Sequence, residues 1–143
     1  MDTRMNPVKT DLAPRARLAA VSRLLRDVHG SLVRAVQEAF ERLHGRVSGP
    51  GALLALVLDD PLFAWLRPMS ALIAELDELA DNGEIDVDRA KLAQIRATIE
   101  RCTSISGEED EFAESYRVFL QSDPGLVLAH AALKQALAAL PRA

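Results

Sequence analysis

The spacing of apolar residues over residues 14–44 constrains this 143-residue chain most strongly. They recur in steps of three and four: Leu18, Val21, Leu25, Val28, Leu32, Ala35, Ala39 and Leu43. This spacing draws one apolar stripe along an α-helix, whereas a half-buried strand alternates at every second residue. Pro14 suits the first turn of such a helix and Gly45 its end. The pattern predicts a helix of about thirty residues that sets the length of the fold.

The remaining segments also favour helices. Aromatic residues make up only 4% of the chain, and Ala and Leu dominate its apolar share, as is typical of helices rather than sheets. Asp60-Pro61 and Asp123-Pro124 each combine an N-cap with a proline at the first helical position, and Asp86 is a further candidate N-cap. We therefore predict an all-α fold, an up-and-down bundle of four to five helices.

Two features refine this prediction. Residues 1–13, broken by Pro7, are predicted to form a flexible tail, and residues 14–143 a single domain. Residues 52–58 are wholly apolar and predict a short buried helix. A longer helix, apolar on two sides, should run from Pro61 to about Ala80 as the central element, with a kink at Pro68 because proline removes a backbone hydrogen bond.

Several classes of protein are disfavoured by composition. Cys102 is the only cysteine, which excludes a disulfide scaffold. No signal peptide opens the chain, and no apolar run reaches the roughly 20 residues that a membrane span needs, so we expect a cytoplasmic protein without a membrane partner. The net charge of −4 and the scarcity of aromatic residues argue against nucleic-acid binding.

The histidines and carboxylates do not assemble into a metal motif. Glu41 and His44 have the spacing of half a di-iron site, but neither of the other two histidines has a carboxylate three residues before it. The carboxylates between Glu75 and Asp88 do not match the ligand spacing of an EF-hand. We expect no metal and no cofactor, and read the acidic segment as a solvated helix end and turn.

Three residues are candidates for a pocket. His130 lies on the apolar stripe of the last predicted helix, and Cys102 lies on the stripe of another. Buried histidines and cysteines are usually structural, hydrogen-bonded or merely apolar. The alternative is a ligand pocket, or an active site, in which His130 lies near Tyr116 and Cys102.

The segment Leu53–Leu79 is the most distinctive part of the sequence, because Phe63, Trp65 and Met69 are concentrated around Pro68. One interpretation is core packing against the first helix. The other is an apolar contact surface, since aromatic residues and Met are enriched at the centres of interfaces.

This segment, together with LHGRV before it and DPGLVLAHAAL after it, resembles a family of small bacterial helical proteins for which no activity is known. The resemblance covers most of the chain after residue 15. It implies a bacterial, cytoplasmic protein and no mechanism.

Two hypotheses about function follow. The first is a non-enzymatic helical interaction or regulatory module that self-associates, as a homodimer, or binds a protein partner, with Phe63, Trp65 and Met69 at or near the contact surface. The second is a ligand- or metal-binding bundle, with enzymatic activity left open, that has a pocket near His130. The sequence favours the first.

Overall fold

A computed structural model describes residues 6–103 and 111–142 of the chain, and this part is helical with no strand. The prediction of an all-α fold is confirmed. The elements are α1 (Asn6–His44), α2 (Pro50–Asp59), a 3-10 helix (Pro61–Leu66), α3 (Arg67–Asp81), α4 (Arg89–Cys102), α5 (Glu111–Ser122) and α6 (Pro124–Ala138). Six α-helices are thus present in the described ranges, where the sequence predicts four or five. None of these helices is both long and apolar enough to cross a membrane.

The first helix begins earlier than predicted. It starts at Asn6, so Pro14 lies inside α1 rather than at its first turn. Residues 6–13 of the predicted tail are therefore helical, and residues 1–5 lie outside the described part of the chain. A proline in a helix costs one backbone hydrogen bond and crowds the preceding turn, which is why the sequence alone favours a start at Pro14.

The apolar stripe of α1 forms the centre of the core. Its side chains at Leu18, Leu25, Val28 and Leu32 are fully buried, as the spacing predicts. Helices α3, α4, α5 and α6 and the 3-10 helix all pack against α1. Thus α1, rather than the segment after Pro61, is the central element. The stripe leaves the core at its last predicted member, because the Leu43 side chain is 72% exposed.

Aspartate side chains cap three of the helix starts. The Asp60 carboxylate accepts a hydrogen bond from the Leu62 amide (2.9 Å), and the Asp123 carboxylate accepts one from the Leu126 amide (3.2 Å). Both predicted caps are confirmed. The predicted cap at Asp86 is wrong, because Asp88 caps α4 by accepting a bond from the amide of Lys91 at 2.8 Å. The local sequence allows either Asp86 or Asp88 to be the N-cap of α4. Tertiary packing fixes the residue at which the helix begins.

The segment predicted as one helix kinked at Pro68 contains two elements. The 3-10 helix ends at Leu66, and α3 starts at Arg67 with Pro68 in its first turn. Proline is well accommodated there because the amides of the first turn have no partner within the helix.

Helices α1 and α3 run antiparallel, and polar contacts connect them along their length. Ser22 and Arg26 on α1 both donate hydrogen bonds to the Asp77 carboxylate. One end of the same interface is held by Arg15, whose guanidinium donates to the carbonyls of Leu79 (2.5 Å), Ala80 (3.3 Å), Asn82 (3.1 Å) and Ile85 (2.5 Å). A single arginine thus satisfies carbonyls at the C-terminal end of α3 and in the following turn.

Candidate functional site

Helix α2 is apolar along nearly its whole length, yet none of its residues is buried. The prediction of a short buried helix is correct in its secondary structure and wrong in its burial. Leu54 and Leu58, one helical turn apart, are each 59% exposed and form a ridge on the outer face of α2. The opposite face, with Leu53, Leu56 and Val57, packs against the core. Single exposed leucines are ordinary, but an apolar helix exposed along one face marks a surface that a partner can cover.

The loop before α2 uses glycines to change direction. Gly45 has a φ of +89° and ends α1, and its amide donates to the Glu41 carbonyl at 2.9 Å. Gly49, immediately before α2, has a φ of +129°. These positive φ values are unfavourable for residues with a Cβ, so the two glycines allow the chain to leave α1 and begin α2 within a few residues.

The 3-10 helix fixes the position of α2. The Arg67 guanidinium donates to the Asp60 carbonyl (3.1 Å) and the Val57 carbonyl (3.4 Å), which ties the end of α2 to the start of α3. From the 3-10 helix, the ring of Phe63 lies 6.4 Å from that of Phe40 on α1. Helix α2 is therefore attached to the 3-10 helix and α3 on one side, and its outer face is exposed.

Five other large aliphatic side chains of the described residues are exposed, on α1, α5, α6 and the 3-10 helix. Leu62 belongs to the 3-10 helix that supports α2, and Leu43 to the last turn of α1. Val118 is on α5, and Val127 and Leu128 are in the first turns of α6. We call this set the apolar end surface; it consists of Leu43, Leu54, Leu58, Leu62, Val118, Val127 and Leu128.

A cleft of about 450 Å³ opens beside this surface, where α5 turns into α6. Its apolar lining comes from Leu120, Pro124, Val127 and Leu128. A second cleft, of about 320 Å³, lies next to it against α1 and shares Ser122, Asp123 and Pro124. The described chain thus presents exposed leucines on α2 and an apolar cleft at the α5–α6 turn.

The three predicted interface residues occupy different positions around this surface. Phe63 and Met69 are fully buried in the core. Trp65 is half-buried, and its ring stacks on Phe119 with centroids 5.9 Å apart and planes 2° from parallel. The aromatic residues therefore support the apolar end surface from behind. Sequence analysis selected these large side chains as interface candidates. It did not select the exposed aliphatic residues. The available indication in the sequence was the wholly apolar run at residues 52–58, which is only seven residues long.

The three predicted pocket residues do come together. The Tyr116 hydroxyl lies 2.6 Å from Nδ1 of His130. Burial, with a smaller contribution from the charge of Cys102, raises the pKa of the Tyr116 phenol. Burial and the Lys134 ammonium lower the pKa of His130. Both shifts favour the neutral groups, so the phenol can donate to Nδ1 of a neutral imidazole.

This cluster has the geometry of a satisfied polar contact within the helical packing. Neither the two clefts described above nor three further ones on the described residues are lined by Cys102, Tyr116 or His130. A ligand site needs a cavity as well as polar groups that converge on it. The arrangement is therefore suited to joining α5 to α6.

A second histidine pair was not predicted. Nε2 of His29 on α1 lies 2.6 Å from Oγ of Ser70 on α3, and burial lowers the pKa of the imidazole. A serine hydroxyl beside a neutral imidazole is the first requirement of a nucleophile–base pair. None of the five clefts is lined by either residue, and Ser70 Oγ is also 3.3 Å from the Leu66 carbonyl of its own helix turn. We assign the pair to the polar contacts that join α1 and α3.

The described residues contain no group of three or more His, Cys, Asp or Glu side chains that could hold a metal ion. Glu41 and His44, the half motif in the sequence, have other contacts. The Glu41 carboxylate accepts a hydrogen bond from the Val47 amide at 2.8 Å, and the His44 ring packs 4.7 Å from that of Phe40.

Fold and surface together define the class as an all-helical protein with an exposed apolar end. Comparisons of the chain with known protein families, with curated proteins and with solved structures find no match.

Proposed function

We propose that this protein is a non-enzymatic helical interaction module and that its contact surface is the apolar end surface. The observation that carries the proposal is helix α2, which is apolar along its length and has no buried residue. Exposing such a helix to water is unfavourable, and binding a partner chain removes that cost at roughly 25 cal/mol per Å² of apolar surface covered.

The construction of the surface supports the same proposal. The helices that carry its aliphatic side chains are joined by the stack of Trp65 on Phe119. They are also joined by the hydrogen bonds that Arg67 donates to backbone carbonyls. A preorganised surface loses little conformational freedom when it binds, which favours binding over a merely flexible apolar loop. By contrast, the two polar pairs that contain histidine connect helices and line none of the five clefts considered above. The bacterial source and cytoplasmic location that the sequence suggests stay predictions.

Site-specific photo-crosslinking in living cells tests the proposal. A benzophenone amino acid is placed at Leu54, on the ridge of α2, and as a control at Ala74, which is exposed on α3. Irradiation is expected to produce a discrete protein adduct from position 54 and none from position 74. An adduct near twice the 15.6 kDa mass of the chain identifies a second copy, and any other mass identifies a different protein. Absence of an adduct at position 54, with the variant folded by circular dichroism, would contradict the proposal.

A further inference from the structure

We infer that a cleft between the N-terminal part of α1 and the start of α4 binds a small organic carboxylate, with the apolar part of the ligand inside the cleft. The cleft has a volume of about 430 Å³, within the range of roughly 300 to 1,000 Å³ that is typical of small-molecule sites. Pro14 and Arg17 of α1 line it, and so do residues 86–89 of the α3–α4 turn and the start of α4. None of its lining residues belongs to the apolar end surface, so the inference does not depend on the proposed interaction function.

Four apolar residues line the cleft. Val87 and Leu92 are almost completely buried, with 8% and 2% of their surface exposed. Pro14 and Pro141 are half-buried. An apolar group that lies against these side chains leaves water, which favours binding. Sites for small molecules commonly combine such an apolar lining with a few polar groups that orient the ligand.

The loop that forms one side of the cleft is fixed at both ends. The Arg15 guanidinium donates to the carbonyls of Asn82 at 3.1 Å and Ile85 at 2.5 Å. At the other end of the loop, the Asp88 carboxylate caps α4. The segment between these contacts is therefore held in place without a ligand. A preformed cleft loses little conformational freedom on binding, which favours affinity for a small molecule.

Five charged residues line the cleft: Arg15, Arg17, Arg89, Asp86 and Asp88. Arg15 and Asp88 are occupied by the structural contacts described above, and their opposite charges cancel. The other three leave one positive charge in excess. Within the described part of the chain, the side chains of Arg17 and Arg89 are exposed and form no hydrogen bond or ion pair. Both guanidinium groups are thus available to a singly charged anion.

The charges favour a carboxylate over a phosphate monoester. A guanidinium presents a planar pair of N–H donors that matches the two oxygens of a carboxylate. A phosphate monoester also accepts such bonds, but it carries nearly two negative charges at neutral pH. The second charge would exceed the positive charge that remains in the cleft and would be repelled by the Asp86 carboxylate. The ligand class is therefore a singly charged carboxylate that carries an apolar group.

An NMR titration of the ¹⁵N-labelled full chain with three matched probes tests the inference. The probes are 2-naphthoate, the neutral 2-naphthamide and 2-naphthyl phosphate. We expect 2-naphthoate to bind saturably and to shift the amide signals of residues 15–17 and 86–92. The Kd of the amide should be at least about ten-fold higher, because the amide lacks the charge-assisted hydrogen bonds. The phosphate should also bind more weakly than the carboxylate.

Variants of the charged residues assign the binding to this cleft. Arg17→Gln and Arg89→Gln should each raise the Kd for 2-naphthoate by about ten-fold, since each removes a charge-assisted hydrogen bond. Asp86→Asn should lower it by roughly two- to five-fold, because a like charge is removed from an exposed site. Arg23→Gln is the matched control, because Arg23 is exposed on α1 and does not line the cleft. Circular dichroism verifies that each variant is folded.

The possible results separate clearly. Saturable binding of 2-naphthoate that all three cleft variants change in these directions supports the site. Equal affinity for 2-naphthoate and 2-naphthamide would overturn the role of the arginines, and tighter binding of 2-naphthyl phosphate would overturn the ligand class. Shifts that lie outside the cleft, or no binding by any of the three probes, would overturn the site itself.

Discussion

The indole of Trp65 lies flat on the ring of Phe119, with their centroids 5.9 Å apart, and joins the 3-10 helix to α5. This contact connects two parts of the apolar end surface that are more than fifty residues apart in the chain. The stack links the element that supports α2 to the helix that leads into the α5–α6 cleft.

Replacing Trp65 by Ala should lower the free energy of unfolding by about 2 to 3 kcal/mol, since the residue is half-buried and also loses an aromatic stack. Urea denaturation followed by circular dichroism measures the change. Trp65→Phe, which keeps a ring against Phe119, should retain most of the stability. Equal losses in the two variants would show that the stack itself contributes little.

Replacing Arg15 by Ala should destabilise the protein by about 1 to 3 kcal/mol, because its guanidinium donates to four backbone carbonyls at the end of α3 and beyond. Amide hydrogen exchange should accelerate most over residues 82–88. Arg17→Ala is the control, because Arg17 is exposed on the same helix and should change stability by less than about 0.5 kcal/mol. Uniform acceleration along the whole chain would contradict this local role.

Replacing Asp88 by Ala should cost about 1 kcal/mol, the usual effect of losing an N-cap, whereas Asp86→Ala should have almost none. The comparison distinguishes Asp88, the observed N-cap of α4, from Asp86, which the sequence also permits as the cap. Thermal denaturation of the two variants measures the difference. The opposite ranking would mean that α4 begins two residues earlier.

Stability should fall as the pH drops below about 6.5. The folded protein lowers the pKa of His29 through burial and that of His130 through burial and Lys134. The unfolded chain, with ordinary pKa values near 6.5, then binds protons first, so the free energy of unfolding is fully retained above that pH and decreases toward the lower folded pKa values.

Denaturant titrations between pH 7.5 and 5.5, the window of this effect, measure the slope. The double variant His29→Gln/His130→Gln should flatten it. His44→Gln is the matched control, because His44 is exposed, and it should keep the wild-type slope. A slope that the double variant leaves unchanged would assign the pH dependence to other groups. Asp77, whose pKa Ser22 and Arg26 hold below its usual value, acts only at lower pH.

Local chemistry made several features predictable. Apolar residues that recur at every third or fourth position require a helix with one buried face. The buried residues of α1 follow this spacing closely. The Asp-Pro pairs gave two helix starts correctly, because a capping carboxylate and a proline act within one turn. Tyr116 is fully buried, whereas His130 and Cys102, which the sequence also places on apolar stripes, are only partly buried.

Other features depended on what lies across space. The sequence could not show that α1 begins before Pro14. A proline inside a helix has a local cost, and the packing of α1 against its neighbours offsets that cost. Nor could it find the His29–Ser70 pair, because the two residues are 41 positions apart and meet only where α1 and α3 run antiparallel.

The sequence by itself determined that the chain is helical, where its apolar faces lie and which residues begin two of its helices, because these depend on propensity, periodicity and contacts within a turn. Tertiary structure alone decided which apolar faces are covered. Phe63 and Leu58 are five residues apart, yet the first is fully buried and the second 59% exposed. Burial depends on how many neighbouring elements reach a side chain, and α2 has a supporting element on one side only.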